Sequence, residues 1–334
     1  MGAKSKPVEY RRLGRSGLQV SALSLGSWTT YGKQVGADVA EACVTAAWEA
    51  GVNLFDTAEG YADGEAERIL GAIFRNQGWP RERLVVCTKV FFGGDFPNQT
   101  GLSAKHVIEG CHGSLRRLGL DHLDLLLCHR PDPRTPVEET VRAMDILVRQ
   151  GKVLYWGTSE WDAGRIRSAV AFARDNHLTP PCVEQTRYSL ASRRRVESEH
   201  APLYDDPGIG LLAYSSLEGG LLTGKYLEGV PEGSRAAFRG PDWVAERIES
   251  PKGRRRADGV RALAALAAEL GVPTGRLALA WCLGNPHVSS VITGATAPAQ
   301  LADNLLALEL TGRLTPEITA RAEAAFAAPQ APPA

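Results

Sequence analysis

Short apolar runs alternate with longer amphipathic stretches along almost the whole chain. The runs VSALSLGSW, VNLFDTA, LVVCTKV, HLDLLLCH, VLYWGTS, CVEQTRYS, IGLLAYSS and SSVITGA are β-branched or leucine-rich and read as strands. The stretches between them carry apolar residues at helical spacing. In residues 39–50, for example, Val39, Cys43, Ala46, Ala47 and Ala50 share a face, and Gly51 stops the helix. The pattern predicts eight β/α units. Strands that are apolar on both faces belong to a parallel sheet covered by helices, either open and doubly wound or closed into a barrel. A count of eight favours closure. The segment GSWTTYGKQVG also lacks the G-x-G-x-x-G that opens a dinucleotide-binding open sheet. The expectation is therefore an α/β fold, a (β/α)8 TIM barrel. Ahead of it, EYRRLGRSGLQVS predicts a β-hairpin, turning at Gly14 to Gly17, that closes the N-terminal end. Residues 1–334 are expected to form one domain, with the proline-rich AAPQAPPA giving a short disordered tail from about residue 328.

Four polar residues stand where this pattern ends its strands. Asp56 closes VNLFDTA, Tyr61 follows in the next loop, Lys89 closes LVVCTKV and His129 closes HLDLLLCH. Strand interiors fill a core, so polar residues at successive strand tips converge on one face of a parallel sheet. Each has an ordinary structural alternative. Asp56 can cap the following helix, Lys89 can snorkel, His129 can be a satisfied core histidine, and Tyr61 can simply pack. Together they make a proton-transfer set. A phenol with a pKa near 10 is a poor acid at neutral pH unless a cation sits beside it. A lysine about 4 Å away at an effective dielectric of about 20 offers roughly 4 kcal/mol, at most about three pKa units. Lys89 is the candidate tuner and Asp56 the carboxylate that keeps it charged and aimed. His129 can donate a hydrogen bond to a carbonyl. The set suits reduction of a carbonyl, with the hydride supplied by a cofactor.

Composition narrows the partners. Lys plus Arg equals Asp plus Glu at 38 each, and a pI near 7.1 gives no pull toward nucleic acid or an anionic membrane. Arginines at 193–195 and 254–256 read as solvated helix ends. Six scattered cysteines without a C-x-x-C pair read as reduced, buried small hydrophobes, and no metal site is expected. MGAKSKPVEYRR has no apolar segment behind it, and Lys6 stands where an acylation signal on Gly2 needs Ser or Thr. A cytoplasmic protein without membrane insertion is expected.

The string FDTAEGY, with CTKV, LLLCHRPD, YWGTSEW, VEQTRYS and VITGA, resembles the aldo-keto reductase superfamily over nearly the whole chain. GLQVSALSLGSW, PVEETVRAMDILVRQGKVLYWGTS, LTPPCVEQ, LTGKYLEGVPEGSRA and LALAWCLGN are similar to the β subunits of voltage-gated potassium channels and their bacterial ketoreductase relatives. The resemblance implies a barrel that binds NADPH across its C-terminal mouth, with Asp56, Tyr61, Lys89 and His129 as the catalytic tetrad. It further implies that Trp28 borders the nicotinamide, Ser159 and Gln185 hold its carboxamide, and Tyr214 stacks on its ring, with Asp56 also near the cofactor. Ser215, Ser216, Leu217, Glu218 and Gly219 would follow the pyrophosphate, with Lys225 and Arg235 supplying charge. Gly294, Thr296, Gln300, Asp303 and Asn304 would meet the adenosine and its 2′-phosphate, beside a helix starting near Pro298. Channel subunits carry Asn where His129 stands, and Ser-Arg where this chain has Ser159 and Glu160.

The expected activity is NADPH-dependent reduction of a small-molecule carbonyl to a secondary alcohol. The loop FFGGDFPNQTGLS brings Phe91, Phe92 and Phe96 to the mouth, and Trp161, Phe238 and Trp243 extend an aromatic pocket. An Ala-, Gly- and Arg-rich composition suggests a GC-rich genome. Reductases resembling this one there act on polyketide side-chain ketones or nucleotide-linked keto-sugars. The alternatives are a redox-sensing regulatory subunit of a potassium channel and a nucleotide-linked hexose enoyl reductase. A pore-blocking N-terminal extension is not expected, because the sequence begins almost at the hairpin. By resemblance the protein is a homo-oligomer, tetrameric or higher.

Overall fold

The computed structural model describes residues 8–327; the expectations for Gly2, Lys6 and the tail from 328 lie outside them. The chain divides into two compact units. Among the described residues, one comprises 8–187, 194–214 and 286–302; the other comprises 188–193, 215–285 and 303–327.

The first unit contains the hairpin and the whole barrel. Strands β1 (Tyr10–Arg12) and β2 (Gln19–Ser21) pair antiparallel. Eight parallel strands follow: β3 (Leu23–Gly26), β4 (Leu54–Asp56), β5 (Val85–Val90), β6 (Leu123–Cys128), β7 (Val153–Ser159), β8 (Val183–Arg187), β9 (Gly210–Tyr214) and β10 (Val288–Thr293). They close in the order β10-β3-β4-β5-β6-β7-β8-β9, as the eight-unit pattern predicts. The run VSALSLGSW proves to hold two elements, the end of β2 and all of β3. Ala22 separates them, its N–H donating to Glu9 O at 2.8 Å and its carbonyl accepting from Val291 N at 2.8 Å.

A period of two decides what fills the barrel. Leu54, Val85, Cys87, Leu125, Leu127, Val183, Leu212 and Ile292 form one interior cluster, joined from the hairpin by Leu13 and Val20. The predicted hairpin plug therefore contributes its own apolar side chains to the barrel core. One step further along the same inward faces come Asp56 after Leu54, Lys89 after Cys87, His129 after Leu127 and Gln185 after Val183. On β7 the inward position below Ser159 is Gly157, where a Cβ would lie 2.2 Å from Val183 O.

Outside the barrel, helix Ala37–Glu49 buries Ala40, Cys43, Val44 and Ala47. The buried stripe is thus centred one residue away from the predicted face, with Val39 at its margin. The set i, i+3, i+4, i+7 beginning at Ala40 is the narrower stripe, so it takes the contact. The second unit holds helices Pro251–Glu269, Thr274–Leu283 and Pro316–Ala324 and a small core of Leu221, Tyr226 and Ala236 against Trp243, Val244 and Ile248. Among the described residues no single helix is long and apolar enough to cross a membrane, and no cluster of potential ligands fits a metal. All six cysteines are free thiols.

Candidate active site

The tips of β4, β5 and β6 bring the four expected residues together. Lys89 is fully buried, and an ammonium there is tolerable only if its hydrogens are matched. They are. Lys89 Nζ donates to Asp56 Oδ2 at 2.7 Å, to Thr57 O at 2.7 Å and to Tyr61 Oη at 3.2 Å. Three donors meet three acceptors, which pins the side chain. Because Lys89 donates to the phenol oxygen, the hydroxyl hydrogen of Tyr61 is left for another acceptor. The Tyr61 ring stands edge-on to the His129 ring, with centroids 5.5 Å apart. Phe92 also meets the His129 ring edge-on, with centroids 5.2 Å apart.

Electrostatics assigns protonation states. Burial alone would lower the Lys89 pKa, but the charge of Asp56, followed by Tyr61 and Cys87, turns the net shift upward, so the ammonium persists. Burial pushes His129 well below the ordinary histidine value, and Lys89 and Arg130 add to that, so the imidazole is neutral. Its Nδ1 is buried and without a hydrogen-bond partner. Residue types alone lead one to expect that Lys89 lowers the Tyr61 phenol. In the structure burial is the larger effect and, with Asp56, raises the pKa despite Lys89. The phenol is therefore held in its protonated, acidic form.

The remaining expected residues fall into distinct environments. Gln185 Nε2 donates to Asp56 Oδ1 at 2.9 Å, so this residue braces the carboxylate that holds Lys89. Ser159 is buried, and its hydroxyl has no partner. Tyr214 is half-buried, its pKa pushed up to about 12 by burial and by Glu160, with which it shares a hydrogen bond. Trp28, 44% exposed, follows β3. Gly294 and Thr296 follow β10, and Gln300 Oε1 accepts from the N–H and hydroxyl of Thr296 at 2.9 and 3.0 Å. Helix Pro298–Leu305 starts where expected.

In the second unit, Ser215, Glu218 and Gly219 have positive φ values of 56°, 49° and 72°. Leu217 lies within that turn, immediately before Glu218, and the Ser216 hydroxyl is buried without a partner. Glu218 accepts from Ser189 Oγ at 2.8 Å. Lys225 lies over the Tyr226 ring at 5.2 Å, and burial lowers the pKa of Arg235. Asp303 is paired with Arg276, and Asn304 is half-buried in the same helix.

Two readings are corrected. Trp161 is buried at 1% exposure, its main-chain N–H donating to Glu184 Oε1 at 3.2 Å, so it belongs to the packing behind β8 and lines no open pocket. Arg195 is not simply solvated: it pairs with Glu160, whose carboxylate also accepts from Thr186 Oγ1 at 3.0 Å and Arg187 N at 2.9 Å. These partners outweigh burial and lower the Glu160 pKa. Sequence reasoning did not find the Thr57 carbonyl or the Gln185 brace. The second was signalled by its inward position two residues after Val183.

The sequence profile of the aldo/keto reductase family matches residues 22–325. The chain belongs to that family. It is also 49% identical over 318 residues to a probable voltage-gated potassium channel subunit beta of Oryza sativa subsp. japonica, covering 95% of this chain and 96% of that protein. An aldo/keto reductase is an oxidoreductase, and the neutral imidazole, charged lysine and protonated phenol described above are consistent with that class of chemistry.

Proposed function

We propose that the protein is an NADPH-dependent ketoreductase whose general acid is Tyr61. The observation that carries this reading is the direction of the Lys89 to Tyr61 hydrogen bond. It leaves the phenolic hydrogen free while the ammonium stands ready to stabilise the phenolate. When bound, NADPH supplies a hydride to the carbonyl carbon. The Tyr61 O–H bond breaks, the proton passes to the carbonyl oxygen, and Lys89, whose Nζ lies 3.2 Å from the phenol oxygen, stabilises the resulting phenolate. Neutral His129 donates a hydrogen bond to the same oxygen and fixes the face presented. Asp56 and Thr57 keep Lys89 aimed. The partnerless Ser159 hydroxyl supports a carboxamide site there, with Gln185 and Tyr214 beside it on neighbouring strands. Thr296 and Gln300, in the same unit as the barrel, are proposed to serve the adenosine end of the cofactor.

The half-exposed Phe92 and strongly exposed Phe96 suit a bulky, partly apolar ketone, such as a polyketide side chain or a nucleotide-linked keto-sugar. We further propose a cytoplasmic homo-oligomer. The test is NADPH oxidation across a panel of small, aryl and sugar ketones, with the alcohol identified by chiral chromatography. Absence of any alcohol would remove the proposal.

The name of the rice relative favours a second reading, a potassium channel β subunit, and for this chain we add a redox-sensing role. Association with a potassium channel by a protein that turns over no ketone would select it.

A further inference from the structure

Glu59, between Asp56 and Tyr61, takes no part in the chemistry above, yet it is buried together with His106, at 3% and 4% side-chain exposure. Its main chain belongs to the loop of the acid: Glu59 N donates to Lys89 O at 3.1 Å, and Tyr61 N to Ala58 O at 3.1 Å. Its side chain belongs to a different loop. Oε1 accepts from Phe91 N at 2.7 Å and lies 3.1 Å from His106 Nε2, in the first turn of helix Ala104–Leu118. Phe91 begins the loop that carries Phe92, closed at its base by Gly101 N to Phe91 O at 3.0 Å and Gly93 N to Gln99 O at 2.9 Å.

Packing around the pair leaves no slack. A Cβ at Gly93 would lie 2.8 Å from His106 Nε2, and one at Gly110 would lie 2.8 Å from Glu59 Oε2. A Cβ at Gly60 would lie 2.7 Å from Phe92 O. The loop of Tyr61 and the loop of Phe92 are therefore fitted to each other through glycines and joined by one carboxylate.

We propose that Glu59, held by His106, is a positioning residue that sets the Phe92 ring against His129 and so determines selectivity for aryl over small aliphatic ketones. This rests on the carbonyl-reductase reading. Phe92 is 46% exposed, so its free face is what a substrate substituent meets once the carbonyl reaches Tyr61 and His129. A flat aryl group gains area and an aromatic contact from a fixed ring, whereas a short alkyl group gains little. Removing the carboxylate frees the Phe91 amide but leaves the backbone bonds of the Tyr61 loop in place, so the aryl substrate loses binding and its KM rises.

The test compares methyl naphthyl ketone with butanone in wild type, Glu59→Ala, Glu59→Gln and His106→Gln. In Glu59→Ala the ratio of kcat/KM between the two ketones is expected to fall about tenfold, through weaker binding of the naphthyl ketone with kcat little changed. Glu59→Gln keeps an acceptor for the Phe91 amide and restores most of the ratio. A ratio within about twofold of wild type in a folded Glu59→Ala protein overturns the inference. Should that variant not fold, His106→Gln carries the same expectation, at about threefold. Hydrogen–deuterium exchange of the cofactor-free protein gives a readout independent of turnover. Faster exchange in residues 91–93 than in 57–62 on losing the carboxylate supports the inference, and unchanged exchange in 91–93 overturns it. If wild type reduces neither ketone, the reductase reading fails, and exchange alone decides the positioning role.

Discussion

Asp56 divides its two carboxylate oxygens between two strands. Oδ2 accepts from Lys89 at 2.7 Å and Oδ1 from the Gln185 amide at 2.9 Å. The lysine anchor is thus itself anchored from across the barrel. Replacing Gln185 with leucine leaves a buried charged oxygen without its donor, a loss of about 1.5–3 kcal/mol for a hydrogen bond to a charged group. Urea unfolding of cofactor-free Gln185→Leu should show that drop, and an unchanged midpoint would mean the bond carries no weight.

Proton occupancy gives a pH prediction with a definite sign. Tyr61 has its pKa raised by burial, so it stays protonated up to and beyond the ordinary tyrosine value near 10. The kcat/KM for ketone reduction should therefore show no falling limb between about pH 7 and about pH 9. A limb near neutrality would assign the acid to another group.

His129 supplies the opposite limb in stability. Its folded pKa is depressed, so below about 6.5 the unfolded chain takes up a proton that the native site refuses. Stability is complete above that value and declines as pH falls. His129→Asn should lose less stability than wild type between about pH 7.5 and about pH 5.5, compared by urea midpoints. Equal losses would show that the imidazole is not neutral in the native protein.

Glu184 is buried in β8 and its pKa is raised well above the ordinary carboxylate value, first by burial and then by the charge of Glu160. A protonated carboxyl is close in shape and bonding to an amide. Glu184→Gln should cost less than about 1.5 kcal/mol, because Thr158 and Trp161 N keep a partner. A loss well beyond that in chemical unfolding would mean that the group is ionised.

Gly71 tests the helix layer. A Cβ there would lie 2.3 Å from the Leu118 carbonyl, backbone against backbone, so neither side can swing away. Gly71→Ala should lose about 1–3 kcal/mol and melt at lower temperature, although alanine favours helix. A rise in melting temperature would contradict the packing described.

The barrel was legible because its strands are short apolar runs with one face pointing inward at period two, and the hairpin because its turn glycines separate two short strands. The convergence of the strand-tip residues was legible for the same reason: Asp56, Lys89 and His129 continue the inward rows of Leu54, Cys87 and Leu127. Pairings across strands were not legible. Nothing in CVEQTRYS says that Gln185 meets Asp56 rather than a ligand, because that depends on barrel closure. Trp161 read as a mouth aromatic because position after a strand does not say which side of the loop the ring takes. The sign of the Tyr61 shift needed the amount of burial, which no neighbouring residue type reveals. Glu59 stood within the most informative motif of the chain and went unread because its partners lie in the next loop and helix.

We propose that Tyr61 delivers the proton in an NADPH-dependent carbonyl reduction. Single-turnover reduction of methyl naphthyl ketone by wild type and Tyr61→Phe, with NADPH binding measured on the same samples, tests it most directly. Wild type should form the alcohol and the variant should lose about 10²-fold or more in rate, with NADPH affinity kept within a few-fold. Reduction by Tyr61→Phe at the wild-type rate would contradict it.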